Sequence, residues 1–248
     1  YSGPRLPLDD PRYREVMRSE LADMREHGMT SVGLCFGPAP ESFTITDEGV
    51  TVAYSDNDRY VWFMDAYVEL GFTAPVIQLH DTPQSVLGGR FRLDSDEFAR
   101  AYQSAWAAMQ AEGQRRGWPE VIVQPVDEPG WQDQQAKDRT VRLLQLLKQI
   151  PGLRTEQDGP ADEFFEEIAG FHADVWNYNG GLGTPERVAR AIAEGHIICC
   201  YNNDVEGYRP ELQRYAAGFF LLASGTHGIY NWEYHGWQGS PYDDQDSK

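Results

Sequence analysis

Amphipathic helical segments alternate with short apolar runs along almost the whole chain, and this alternation restricts the fold more than any single motif. Residues 11–27 place Val16, Leu21 and Met24 on one side of a helix that Gly28 stops, and Thr30 to Gly37 follow as a strand. Residues 43–54 alternate on either side of Asp47-Glu48-Gly49, which predicts a hairpin insertion over 41–56. A helix over 57–70 ends at Gly71 and leads to a strand over 74–81; a long helix over 95–116 ends at Gly117. The second half continues with a strand from 120, a helix over 133–149, a weak strand over 153–156 and a short helix over 162–168. Strands over 173–178, 196–203 and 228–234 are then separated by helices over 185–194 and 209–223.

Strands separated by helices in this rhythm form parallel sheets, and seven of them predict a (β/α)8 TIM barrel, an α/β fold, over residues 1–248 as one domain. The eighth strand is expected just upstream, with Tyr1-Ser2-Gly3 as its exit. The helix expected after the last strand is missing too, since residues 240–248 are polar. A doubly wound open sheet is the competing fold, but the chain lacks that fold's Gly-rich phosphate turn.

In a parallel barrel the C-terminal strand ends converge on one mouth, so their last residues are the site candidates. Residues 120–129 stand out. Val121, Ile122, Val123 and Val126 form a buried run that ends on two acids, Asp127 and Glu128, with Pro129 closing the strand because it has no N–H for a ladder. The other strand ends carry His80 and Asp81; Trp176, Asn177 and Tyr178; Tyr201, Asn202 and Asn203; Trp232, Glu233 and Tyr234. Aromatic faces stack on sugar rings while amides, His and carboxylates bind hydroxyls, so the mouth reads as a glycan site.

Composition narrows the partners. A formal charge of −18 opposes phosphate-rich ligands, so neither nucleic acid nor an anionic membrane is an expected partner. No apolar run approaches the roughly 20 residues of a membrane span. Cys35, Cys199 and Cys200 have no CxxC spacing, and the six histidines have no HExxH-type spacing. Free thiols are expected, with no metal and no cofactor. Cys199 and Cys200 are neighbours on a strand and are expected to face opposite ways.

Three uses of these carboxylates are compatible with the pattern. A distant pair, Glu128 with Glu233, Asp204 or Asp81, would flank the sugar about 5 Å apart for retention or farther for inversion. The adjacent pair would instead work with a substrate acetamide as internal nucleophile, Glu128 protonating the leaving oxygen and Asp127 orienting the amide. In the third, the acids only bind hydroxyls on an inactive carbohydrate-binding barrel. The seventh strand ends on Tyr-Asn-Asn, with no carboxylate for a nucleophile, which favours the second.

Residues 23–32 (Asp-Met-Arg-Glu-His-Gly-Met-Thr-Ser-Val), 117–121 (Gly-Trp-Pro-Glu-Val), 126–129 (Val-Asp-Glu-Pro), 200–203 (Cys-Tyr-Asn-Asn), Arg209 and 228–234 (Gly-Ile-Tyr-Asn-Trp-Glu-Tyr) together resemble the catalytic barrel of glycoside hydrolase family 123. The resemblance covers nearly the whole chain in element order. It implies a retaining β-N-acetylgalactosaminidase acting through an oxazoline intermediate, with Asp127 orienting the amide and Glu128 as general acid/base. It also implies an extracellular or periplasmic location and flanking domains in the parent protein.

Overall fold

The computed structural model describes residues 1–201 and 210–230. Its strands are β1 (Gly33–Leu34), β2 (Phe43–Thr46), β3 (Gly49–Val52), β4 (Val76–Gln78), β5 (Val121–Val123), β6 (Arg154–Gly159), β7 (Val175–Asn179), β8 (Ile197–Tyr201) and β9 (Gly228–Tyr230). Seven of them make one parallel sheet in the order β1-β4-β5-β6-β7-β8-β9, and β2 and β3 form a separate antiparallel hairpin. Ile77 and Leu79 at one side of the sheet share an inner cluster with Ile122, Val175, Cys199 and Tyr230 from β5, β7, β8 and β9, so the sheet curls around its own core. This is the (β/α) barrel architecture that the alternation predicts, with seven parallel strands among the described residues. At the free edge of β1 the Tyr1 nitrogen donates to Gly33 O and Cys35 N–H returns to Tyr1 O at 3.0 Å. The opening residues thus pair where another strand would lie.

Helices α1 (Tyr13–Glu26), α2 (Arg59–Glu69), α3 (Thr82–Gly88), α4 (Asp96–Arg116), α5 (Gln134–Leu147), α6 (Pro185–Ala193), α7 (Pro210–Arg214) and α8 (Leu221–Ser224) fill the connections. Asp58, Ser95, Asp133 and Thr184 cap α2, α4, α5 and α6, each accepting a first-turn backbone N–H that has no partner inside the helix. Apolar stripes then face the sheet. Met17 and Leu21 of α1, Phe63 and Tyr67 of α2, and Leu143 and Leu147 of α5 are fully buried against Leu34, Val76 and Val123. At helical spacing each such leucine contributes roughly 1.5–3 kcal/mol by burial.

Two differences from the sequence reading concern this layer. Helix α3 has only seven residues, too few for a period to show, and is defined by its Asp81 cap and Pro83 in the first turn. Strand β6 runs on to Gly159, although Glu156, Gln157 and Asp158 carry no apolar signal; all three are buried. The hairpin lies against α4, where Val50 N–H donates to Ser104 Oγ at 2.9 Å. Cys199 packs inside the curl and Cys200 outside it, as the strand pleat requires.

Candidate active site

The loop leaving β5 is held from both ends. Gln124 N–H donates to Gln78 O at 2.9 Å, keeping the chain in register with β4 one residue beyond the strand. Glu128 then turns with φ 43° and ψ 50°, the sole non-glycine residue at positive φ among those described. Such backbone costs about 1–3 kcal/mol and persists only where neighbours impose it. Here Glu128 N–H donates to Asp158 Oδ1 at 2.9 Å, Trp131 N–H returns to Glu128 O at 3.2 Å, and the Asn179 amide donates to Glu128 Oε1. Main chain and side chain of Glu128 are both positioned before any ligand arrives.

The pairing register arranges the inner face in levels. Glu156 lies level with Val175 and Ile197; Asp158 with Asn177, Cys199 and Gly228; Asn179 with Tyr201 and Tyr230. Burial is the main cause that drives the Asp158 carboxyl up to about 7; the charge of Asp127 adds to it, and the Glu128 N–H opposes it. Glu156 is pushed up to about 8 by burial and then by Asp158. Its carboxyl faces Asn177 and Tyr230, yet among the described residues neither oxygen is satisfied by a hydrogen bond. Asn177 Oδ1 is likewise buried and unsatisfied. Unsatisfied buried acceptors are rare in native cores, and these cluster beneath Glu128.

Asp127 is exposed at the mouth and lines a cleft of about 470 Å³ together with His80, Gln84, Ser85, Gln132 and Arg139. Its carboxyl is raised by partial burial and by the neighbouring Glu128 charge. His80 is exposed at the mouth, and partial desolvation and the Arg59 charge lower its pKa, which favours the neutral imidazole.

Not every strand-end residue reaches this mouth. Asp81 lines the same cleft, but its carboxylate is engaged in the fold: it caps α3 by accepting Gln84 N–H at 3.0 Å and accepts the Tyr102 hydroxyl at 2.5 Å, buried against α4. Trp176 and Tyr178 point outward into the sheet–helix layer. Trp176 is 1% exposed, packed on Phe165 and His196, with its Nε1 donating to Gly170 O at 2.8 Å. Tyr178 donates to Glu166 Oε1 at 3.0 Å, and Glu166 is ion-paired with Arg187. Trp176 and Tyr178 belong to the scaffold rather than to the inner face. Asn177 does face inward, but deep, one level below Asn179. Tyr201 ends β8 level with Asn179. Asn202, Asn203, Asp204, Arg209, Trp232, Glu233 and Tyr234 lie outside the described residues.

Among solved structures the chain is similar to a family 123 glycoside hydrolase from Clostridium perfringens, described in work on glycolipid glycan hydrolysis. The TM-score is 0.55 at 10% identity, over 88% of this chain and 44% of that one. It is also similar to the catalytic domain of a beta-amylase from Paenibacillus polymyxa, with a TM-score of 0.42 at 10% identity over 94% of this chain and 85% of that one. No family model and no curated protein sequence matches it. The likeness at 0.55 is one of fold. The chain spans less than half the length of the Clostridium enzyme.

Three residues join the site that the sequence did not single out. Glu156 and Asp158 were hidden because Arg154–Gly159 has the composition of a polar loop. Asn179, one residue beyond the predicted strand, is the side chain that grips Glu128. A signal for the acids existed in their i, i+2 spacing, which puts both on one face of any strand.

Proposed function

We propose that this chain is the catalytic barrel of a glycoside hydrolase, a retaining β-N-acetylhexosaminidase with β-N-acetylgalactosaminides as the foremost substrates. The observation carrying the reading is Glu128, held in a strained turn at a strand's C-terminal end by Asp158 and Asn179, with Asp127 beside it on an open cleft. Strain maintained at such a place is characteristic of residues that act on ligands. The family 123 resemblance and the shared fold point the same way.

On this reading the substrate acetamide oxygen attacks the anomeric carbon as Glu128 protonates the departing glycosidic oxygen. An oxazoline results. Asp127 accepts the acetamide N–H and offsets the positive charge that develops on that group. Glu128, now a carboxylate, takes a proton from the water that opens the oxazoline, so configuration is retained after two inversions. The Asn179 amide fixes which Glu128 oxygen is free to transfer the proton.

The test is hydrolysis of aryl β-N-acetylgalactosaminide by the parent protein. Glu128→Gln is expected to abolish turnover, and Asp127→Asn to reduce kcat by ~10²-fold or more. Full activity in Asp127→Asn overturns the substrate-assisted scheme and leaves a two-carboxylate glycosidase. Sugar binding without turnover, indifferent to Glu128, selects the inactive binding barrel.

A further inference from the structure

The cleft beside Asp127 holds a charge that the reaction just described does not use. Arg139, on the second turn of α5, lines the cleft with Asp127, Gln132, Gln84 and Ser85. Arginine stays protonated at any working pH. Yet Arg139 has no carboxylate and no hydrogen-bond acceptor among the described residues, and its Nε is shut off from water without a partner. Other arginines of this acidic chain find one: Arg154 pairs with Glu120 at 2.6 Å, Arg116 with Glu112 at 2.8 Å and Arg190 with Glu167 at 3.0 Å. Asp127 and Arg139 therefore share one cleft, carry opposite charges and make no ion pair with each other.

A protein ordinarily brings such charges together or leaves them to water; two that line one cleft separately suit a ligand that addresses both. A guanidinium fork matches a planar carboxylate or the oxygens of a sulfate, and it gains little from a neutral hydroxyl. We propose that Arg139 forms a subsite for an anionic substituent, a carboxylate or a sulfate ester, on the sugar or its neighbour in the glycan. The proposal deepens the glycosidase reading and rests on it for the sugar. Asp127 takes the acetamido side and Arg139 the acidic group, while Gln84 and Ser85 stand ready to bind hydroxyls between them.

Binding to the intact protein, measured by calorimetry with free monosaccharides that contain no bond to hydrolyse, tests it. The probes are N-acetylgalactosamine, its 6-sulfate and galacturonic acid. One of the two acidic sugars is expected to bind at least tenfold more tightly than the neutral one, as a charge-assisted bond to guanidinium implies. Which one does so identifies sulfate or carboxylate as the source. The preference is expected to shrink with added salt and to vanish in Arg139→Gln, with the neutral sugar's affinity unchanged. Arg139→Lys should restore part of it, which a loss of folding would not allow. Equal affinity for all three sugars, or a preference that survives Arg139→Gln, overturns the subsite. Because no turnover is read, a protein that discriminates charge yet cleaves no aryl glycoside refutes the glycosidase and leaves the subsite standing.

Discussion

Glu156 offers a direct test of the polar interior. Its carboxyl is 0% exposed, accepts no hydrogen bond from the described residues at either oxygen, and moves from an ordinary value of 4.5 to about 8. A folded-state pKa above the unfolded one means that the unfolded chain releases this proton first as pH rises. The group's contribution is thus most favourable below about 4.5 and declines until the pH passes about 8, above which it stays flat. At 1.36 kcal/mol per pH unit, the full displacement corresponds to ~5 kcal/mol, and the portion reached by pH 7 to ~3 kcal/mol. Relaxation and water entry soften such penalties, so ~1–2 kcal/mol at pH 7 is the working expectation. Glu156→Gln removes the ionisation while keeping the shape. Urea unfolding at pH 4, 7 and 9 should show variant and parent nearly equal at pH 4. The variant should be more stable by ~1–2 kcal/mol at pH 7 and by somewhat more at pH 9, with unchanged m-values. Asp158, raised to about 7, titrates in the same window in both proteins, so only the difference between them is diagnostic. A gap that does not vary with pH, or a variant that loses stability as pH rises, refutes the reasoning.

Other perturbations separate scaffold from site. Glu128→Gly relieves the positive φ and is expected to raise stability by ~1 kcal/mol while eliminating turnover, as read by thermal melts and the aryl glycoside assay. Trp176→Phe loses the bond to Gly170 O and should cost ~1–2 kcal/mol, with kcat and KM unchanged because the ring faces the helices. Gly170→Ala is expected to destabilise by ~1–3 kcal/mol in urea melts, because a Cβ there would lie 2.6 Å from Phe165 O and 2.7 Å from the Trp176 ring.

Much of this architecture was legible in the residues because period is a local property. Met17 and Leu21, or Leu143 and Leu147, sit on one helical face whatever surrounds them, and Gly117 stops α4 by adopting φ 73°. The corner at Val126-Asp127-Glu128-Pro129 was equally local: an apolar run, two acids and a residue unable to continue a ladder. Trp176 and Tyr178 were misread for a different reason. A strand buried on both faces has no apolar-in, polar-out alternation to say which parity faces the interior, and Trp176 and Asn177 are both buried.

By itself the amino-acid order determined the succession of helices and strands, the parallel sheet that follows from it, and the position of two neighbouring acids at a strand end. Only the tertiary structure decided that Glu156 and Asp158 lie beneath those acids, that Asn179 holds Glu128, that Trp176 belongs to the helix layer, and that Arg139 shares a cleft with Asp127. The reason is that hydrophobic and helical periods are set by neighbours a few residues apart. The company of a buried polar side chain is set by strand register across 20 to 50 residues of intervening chain, as in the 50 residues between Glu128 and Asn179.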